Sequence, residues 1–300
     1  IQKLFDSKMI LFKKLMKKKS IVIFDSNSKY GSKIKKIAKK NHSKCLIIGE
    51  KGSNLKLIKQ ISFKDKQKVF FEYKKKIFSF ETSLIGKIQI KNLLMAIIAA
   101  SKYVRINKIL KSIHKIKEVK GRMENIGKLN NNSKVILDYA HTPDALRVCL
   151  RNLKNHYKLS NISIVFGCGG ERDKPKRKMM GEVASNFCNK IYLTDDNPRN
   201  EKPFKIRNQI KKKINKSKLF EISSREKAIK QAILNLNSGD VLLVAGKGHE
   251  NYQEYREKIL FSDRACILKY INEKNKIISN DWKINVINES LDNFKISNSK

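Results

Sequence analysis

The chain has 300 residues, of which 40% are hydrophobic, so it is long enough for two domains with real cores and wholesale disorder is not expected. Its 67 basic and 27 acidic residues give a formal net charge of +40, but the lysines are spread over the whole chain, which favours a compositional bias over a nucleic-acid patch. No apolar run approaches the roughly 20 residues that cross a bilayer, and five cysteines without CxxC spacing argue against a zinc or disulfide framework and favour a reducing cytoplasm.

The first 117 residues combine a βαβ alternation with a later hairpin, so we expect parallel strands joined by crossover helices. Gly121 then interrupts the pattern, and a domain boundary is placed there, which makes 1–117 the first domain. The elements predicted in this part are a helix at 4–19, a strand at 20–24, a helix ending near 40, strands at 45–48, 69–73 and 77–80, and helices at 90–103 and 107–116.

The strand–helix rhythm restarts beyond the boundary and is cleaner there. Five strands alternating with helices predict a Rossmann-like, doubly wound α/β domain over 118–275. The remaining residues, 276–300, are rich in Asn, Ser and Lys and are expected to fray as a tail. The predicted strands are 134–139, 162–167, 190–194, 218–222 and 240–245, and the predicted helices are near 142–155, 175–188, 203–215, 224–236 and 263–273.

Polar segments follow three of these strands, at residues 167–173 (Gly-Cys-Gly-Gly-Glu-Arg-Asp), 195–199 (Asp-Asp-Asn-Pro-Arg) and 246–250 (Gly-Lys-Gly-His-Glu). We call these three segments the loop tips. Because the carboxyl ends of parallel strands meet at one edge of a sheet, we expect the three loop tips to form one site. Their glycines expose backbone N–H groups, their arginines can grip carboxylates, and their acidic side chains can accept from an ammonium group. A zwitterionic, acidic ligand is therefore predicted, although an Asx turn beside a solvated arginine explains 195–199 on its own.

Two further motifs lie upstream of these tips. In residues 138–144 (Asp-Tyr-Ala-His-Thr-Pro-Asp), Thr142 and Pro143 predict a helix start, which places Asp138 and His141 in the turn above the sheet. There Asp138 either holds a ribose hydroxyl or merely fixes the turn, and His141 can meet a phosphate. Arg122, in Gly-Arg-Met-Glu at the predicted hinge, either reaches a nucleotide or is a surface arginine of a linker.

Taken in order, these five motifs resemble the Mur ligases of peptidoglycan synthesis, over about residues 4–272. The resemblance implies that 1–117 are the later part of the family's central ATPase domain and that 118–275 are its C-terminal domain. It also implies an ADP-producing, cytoplasmic amide-bond ligase that uses ATP and Mg²⁺. Such a ligase converts the D-glutamate carboxylate of UDP-MurNAc-L-Ala-D-Glu to an acyl phosphate, which the amine of an amino acid then attacks. We expect only small-molecule partners, no specific nucleic acid, no membrane and a monomer.

The resemblance also carries site residues onto this chain. The Asp-Asn-Pro-Arg form implies that meso-2,6-diaminopimelate is added, because Arg199 would grip a distal carboxylate that lysine lacks. The pattern GxxxxGK[S/T] does not occur in the sequence, so we expect the chain to bind the amino acid weakly without turning over. A related ligase adding L-lysine and a basic nucleic-acid-binding protein are the alternatives. The residues implied are Arg172, Asp196, Asn197, Pro198, Arg199, Gly246 and Glu250 for diaminopimelate, Asn92, Arg122 and Asp138 on the ATP side, His141 as catalytic, and none for a metal.

Overall fold

The computed structural model describes residues 2–41, 43–63 and 65–297 and divides into two compact α/β units, the first ending at Lys117 and the second beginning at Glu118. The first unit contains α1 (Gln2–Ile10), a π-helical turn (Leu11–Leu15), β1 (Ile21–Asp25), α2 (Gly31–Lys40), β2 (Lys44–Gly49), β3 (Leu55–Phe63), β4 (Lys66–Tyr73), β5 (Lys76–Thr82), α3 (Lys87–Ala100), α4 (Ile106–Ser112) and a 3₁₀ turn (Ile113–Lys115).

The sheet of the first unit runs in chain order, β1-β2-β3-β4-β5, with β1, β2 and β3 parallel and the remaining pairs antiparallel. Helix α3 presents Ile90, Leu94 and Ile97 on one stripe, and these side chains pack in a core with Phe71 of β4. The predicted hairpin is confirmed, with Val69 opposite Phe80. The prediction missed β3, because lysines interrupt its apolar residues and most of the strand is exposed.

The second unit holds a six-stranded sheet of order β10-β9-β8-β11-β7-β6, in which all pairs except β6–β7 are parallel. Strands β8 and β11 are buried along their whole length, which is typical of a parallel sheet covered on both faces. The mixed α/β class with parallel sheets expected from the sequence is thereby confirmed. The elements of this unit are β6 (Glu124–Lys128), β7 (Lys134–Asp138), α5 (Pro143–His156), β8 (Ile162–Phe166), α6 (Pro175–Phe187), β9 (Lys190–Leu193), α7 (Pro203–Lys211), a 3₁₀ turn (Lys216–Lys218), β10 (Leu219–Glu221), α8 (Arg225–Leu234), β11 (Val241–Ala245), β12 (Tyr252–Glu254), β13 (Lys258–Leu260) and α9 (Asp263–Ser297).

Two parts of the second unit differ from the prediction. An antiparallel edge strand, β6, begins at Glu124, shortly after the predicted boundary at Gly121, because Gly121 forms a left-handed turn (φ 67°) that leads into a strand. The expected tail continues α9 as far as Ser297, and residues 298–300 lie outside the described part. Asn275 anchors the start of this extension, since its side chain accepts a hydrogen bond from the backbone of Asn130 at 2.8 Å. Neither α9 nor any other described helix is both long and apolar enough to cross a membrane.

Candidate functional site

Strands β7, β8, β9 and β11 all end at one cavity of about 490 Å³. The cavity lies at the carboxyl edge of a parallel sheet, where open α/β folds bind ligands. The structure therefore brings the three predicted loop tips together, along with the histidine of the turn after β7. The predicted residues that line the cavity are His141, Arg172, Asp196, Asn197, Arg199, Gly246 and Glu250.

Glycines allow the tips after β8 and β9 to approach each other. A Cβ at Gly170 would lie 1.9 Å from the carbonyl oxygen of Pro198, and one at Gly167 would lie 2.3 Å from that of Thr194. The Gly170 backbone N–H also donates to the Asn197 carbonyl at 2.9 Å. Pro198 is buried and does not line the cavity, so in this structure it shapes the loop.

Asn197 is the centre of a buried network that fixes the acceptors of the site. Its Oδ1 accepts hydrogen bonds from Lys247 Nζ at 2.8 Å and from the Glu254 backbone at 3.0 Å. Its Nδ2 donates to Glu250 Oε2 at 3.3 Å, and Lys247 Nζ reaches the same oxygen at 3.1 Å. The side chain of Lys247 is fully buried. One oxygen of Glu250 is thus held from behind, which orients the carboxylate.

Arg199 is clamped by its neighbours in a backbone conformation that is rare for a residue with a side chain (φ 54°). Its N–H donates to the Glu254 carbonyl at 2.9 Å, and its Nε forms an ion pair with the Glu254 carboxylate at 2.9 Å. Nη1 donates to the Gly170 carbonyl at 2.9 Å. Within the described residues Nη2 has no partner, so this nitrogen is available to a ligand.

Basic side chains also line the cavity. Arg172 is exposed and forms no hydrogen bond or ion pair with the described part of the chain. Lys176, which also lines the cavity, donates to the His141 carbonyl at 3.0 Å. His141 is exposed, and its Nδ1 donates to the Tyr139 carbonyl at 2.9 Å, which directs Nε2 away from that bond. The cavity lining is therefore bipolar: it carries the cations Arg172, Arg199 and Lys176 and the carboxylates of Asp173, Asp196 and Glu250.

None of the three residues predicted for the ATP side lines this cavity. Asp138 is 5% exposed, and its carboxylate accepts from the backbones of Met123 and Ala140, each at 2.7 Å. It thereby holds the turn that carries Arg122, whose guanidinium lies 4.9 Å above the Tyr139 ring. Asn92 is exposed on α3 in the first unit. A contact of Asn92, Arg122 or Asp138 with a nucleotide stays a prediction.

Three residues that the sequence interpretation left without a role line or support the cavity. Lys247 could have been found from its position between two glycines directly after a buried strand, but Lys176 and Tyr252 carry no comparable signal. Cys168 is buried beneath the glycine-rich tip, and burial raises its thiol pKa to about 12, so it is a packing residue. The described residues contain no group of three His, Cys, Asp or Glu side chains that could hold a metal ion.

Comparison with known families gives two matches to models of one family. The model described as the Mur ligase glutamate ligase domain matches residues 121–248, and the Mur ligase middle domain matches residues 1–100. A curated protein from Rickettsia bellii, named UDP-N-acetylmuramoyl-L-alanyl-D-glutamate–2,6-diaminopimelate ligase, is 42% identical over 262 residues, covering 86% of this chain and 54% of the relative. A protein of the same name from Rickettsia felis is 42% identical over 79% of this chain and 44% of its own length. The chain spans about half the length of the curated relatives it matches.

Solved structures agree with these matches. A structure of a UDP-N-acetylmuramoyl-L-alanyl-D-glutamate–2,6-diaminopimelate ligase superimposes with a TM-score of 0.64 at 30% identity, over 90% of this chain and 56% of that one. A MurF ligase from Thermotoga maritima in complex with ADP gives a TM-score of 0.66 at 15% identity, over 92% of this chain and 58% of the other, and supports the fold alone.

Proposed function

The chain belongs to the Mur ligase family, and we propose that its second unit binds meso-2,6-diaminopimelate as the amino acid to be added to UDP-MurNAc-L-Ala-D-Glu. The observation that carries this proposal is the bipolar cavity of about 490 Å³, whose lining includes the arginines Arg172 and Arg199 and the carboxylates of Asp196 and Glu250. Meso-diaminopimelate has a carboxylate and an ammonium group at each end, so it can satisfy both kinds of side chain.

Arginine at position 199 favours diaminopimelate over lysine. The Nη2 of Arg199 is free within the described residues, while its other nitrogens are held by Glu254 and Gly170. A guanidinium fixed in this way offers a directed N–H to a carboxylate. Lysine has no carboxylate at its far end and would leave this nitrogen without a partner, which costs binding energy in a partly buried site.

In the reaction that we propose for the whole protein, the amine of the bound amino acid attacks the acyl phosphate made from the D-glutamate carboxylate of the nucleotide substrate. The amide C–N bond forms, the C–O bond to phosphate breaks, and inorganic phosphate and a proton are released. ATP with Mg²⁺ supplies the phosphoryl group that activates this carboxylate. This chain's own residues hold the incoming amino acid by its charges, so that its attacking amine is kept at a fixed position. Arg122 is exposed and is positioned through Asp138 and the Tyr139 ring, so it fits the role of contacting nucleotide phosphate. We assign the same role to His141 Nε2.

Calorimetric titration of the chain with meso-diaminopimelate and with L-lysine tests the proposal. We expect measurable binding of meso-diaminopimelate and at least about tenfold weaker binding of lysine, which corresponds to about 1.4 kcal/mol. Arg199→Ala should bring the two affinities to within about twofold of each other, because it removes the group that reads the distal carboxylate.

Arg147→Ala is the matched control, since Arg147 is an exposed arginine on α5 that does not line the cavity. This variant should preserve the preference for meso-diaminopimelate. Equal affinity of the unmodified chain for both amino acids, or an unchanged preference in Arg199→Ala, contradicts the proposal.

A further inference from the structure

A fully buried arginine lies beside Asp196, one of the carboxylates that line the cavity. Arg225 is the first residue of α8 and forms a bidentate ion pair with Asp263, Nε to Oδ1 at 2.7 Å and Nη2 to Oδ2 at 2.7 Å. Nη2 also donates to the carbonyl of Ala245, the last residue of β11. These contacts hold the guanidinium at the point where β11 turns into Gly246.

The third nitrogen of this guanidinium faces the site. Arg225 Nη1 is buried and has no hydrogen-bond partner in the described part of the chain, and it lies 3.8 Å from Asp196 Oδ2. Asp196 is 12% exposed and lines the cavity. From the other side the same carboxylate is confined by Gly246, where a Cβ would come within 2.7 Å of Oδ2.

We infer that Arg225 is a positioning residue that holds the Asp196 carboxylate in place to receive the ammonium group of the bound amino acid; this inference rests on the proposed function. A buried N–H without a partner favours any rearrangement that gives it an acceptor. Asp196 is the acceptor within reach, and a shift of less than 1 Å would bring it from 3.8 Å to hydrogen-bond distance. The carboxylate would then lie between two cations, the guanidinium behind it and the ligand ammonium in front.

Asp263 holds the Arg225 guanidinium and leaves one of its nitrogens for Asp196. The bidentate pair uses Nε and Nη2, so Nη1 is the nitrogen left for a second carboxylate. A lysine in place of Arg225 has a single nitrogen and cannot meet Asp263, Ala245 and Asp196 in this fixed geometry. Arg225→Lys therefore keeps a buried positive charge for Asp263 while removing the support of Asp196.

The test compares meso-diaminopimelate with pimelate, the same seven-carbon dicarboxylate without its two amines, in millimolar titrations of the full chain. We expect Arg225→Lys to weaken the affinity for meso-diaminopimelate about tenfold and to change the affinity for pimelate by less than about twofold. The reason is that only the ammonium contact depends on Asp196. Arg207→Met is the matched control. It removes a guanidinium paired with Asp195, the residue next to Asp196, yet it should leave both affinities within about twofold.

A purely structural role for Arg225 predicts a different result, because disorder in the loop that carries Asp196 would weaken the binding of both ligands to the same extent. That outcome, or no change in either affinity, overturns the inference while the proposed function stands. Failure of the unmodified chain to bind meso-diaminopimelate overturns the proposed function instead.

If the unmodified chain does not bind meso-diaminopimelate, the contact between Arg225 and Asp196 can still be tested without a ligand. The test is a double-mutant cycle of Arg225→Lys and Asp196→Asn measured by urea unfolding. A coupling of more than about fivefold in the unfolding equilibrium constant supports the contact, and a coupling below about twofold overturns it.

Discussion

Among the described residues, both units place charged side chains at the carboxyl ends of parallel strands, but the second leaves Arg172 there without an ion-pair partner. At this edge of the first unit, Lys91 reaches Asp25 at 2.7 Å and Glu50 at 3.0 Å, so the charges neutralise one another. In the second unit, buried Lys247 contacts Glu250 at 3.1 Å, buried Arg225 lies 3.8 Å from Asp196, and no described residue pairs with Arg172. The comparison indicates that a binding site needs a supporting layer of its own, since charges without one satisfy each other.

Cavity size alone would favour the first unit over the one proposed to bind the amino acid. The first unit contains a cavity of about 890 Å³ beside β4, β5 and α4, larger than the one in the second unit. It is lined by basic and aromatic side chains such as Lys74, Arg105 and Tyr103, and none of the described residues around it is acidic. The smaller cavity carries charges of both signs in a fixed arrangement, which is why it is assigned the function.

The largest effect should come from breaking the buried pair of the second unit. Asp263→Ala leaves the guanidinium of Arg225 fully buried without its carboxylate, and we expect a loss of about 3–5 kcal/mol in the free energy of unfolding. Hydrogen exchange of the β11 amides measures this loss specifically in the second unit. Asp144→Ala is the control, since Asp144 is also in the first turn of a helix but is exposed. Equal losses in the two variants would contradict the role of burial.

An intermediate, pH-dependent effect is expected at Glu201, which supports the glycine-rich tip. Hydrogen bonds from Arg177 lower the pKa of Glu201 from 4.5 to about 2, although partial burial acts in the opposite direction. A lowered pKa in the folded state stabilises the protein fully above pH 4.5, and this stabilisation is lost as the pH falls towards 2. Glu201→Gln should therefore lower stability by about 1–3 kcal/mol at pH 7 and by much less at pH 2.

Urea midpoints measured between pH 7 and pH 2 check this expectation. The difference between Glu201→Gln and the unmodified chain should shrink as the pH falls through this range. Glu182→Gln, at an exposed carboxylate on α6, should give no such difference. A difference that is constant with pH contradicts the assigned ion pair.

The smallest effect is expected in the first unit. Lys91→Met removes a lysine that is 12% exposed from partners that are 24% and 30% exposed, so water can take over part of the lost interaction. We expect a cost below about 1 kcal/mol, measured by hydrogen exchange of the β2 amides. A loss as large as that of Asp263→Ala would remove the distinction between the two edges.

The arrangement of the second unit could be predicted from local patterns because those patterns are strong there. Apolar strands of four to five residues are followed by loops that contain glycine or proline. Thr142 caps α5 by accepting from the Ala145 N–H, as its place before Pro143 predicts. Convergence of the loop tips then follows from parallel strands alone. The edge strand β6 was missed since Gly121 before it and Gly127 within it indicate a break unless a neighbouring strand is known.

The supporting residues of the site could not be predicted in the same way. Arg225 is anchored by Asp263, which lies 38 positions later, and Lys247 donates to Asn197, which lies 50 positions earlier. No local pattern identifies such partners, because they meet only when the sheet has formed. For Asp138 the sequence left two roles open, and the structure shows that its carboxylate accepts from the backbones of Met123 and Ala140, while a contact with a ribose hydroxyl stays a prediction.

The position of β11 has a consequence for how the protein is made. In the first unit each strand pairs with the one before it, so the sheet can grow as the nascent chain leaves the ribosome. In the second unit β11 inserts between β7 and β8, which are more than 70 residues upstream, so the middle of the sheet stays open until Val241–Ala245 has been synthesised. A nascent chain that stops short of this strand would expose the inner edges of β7 and β8, and a ligand could bind only after the strand has closed the gap.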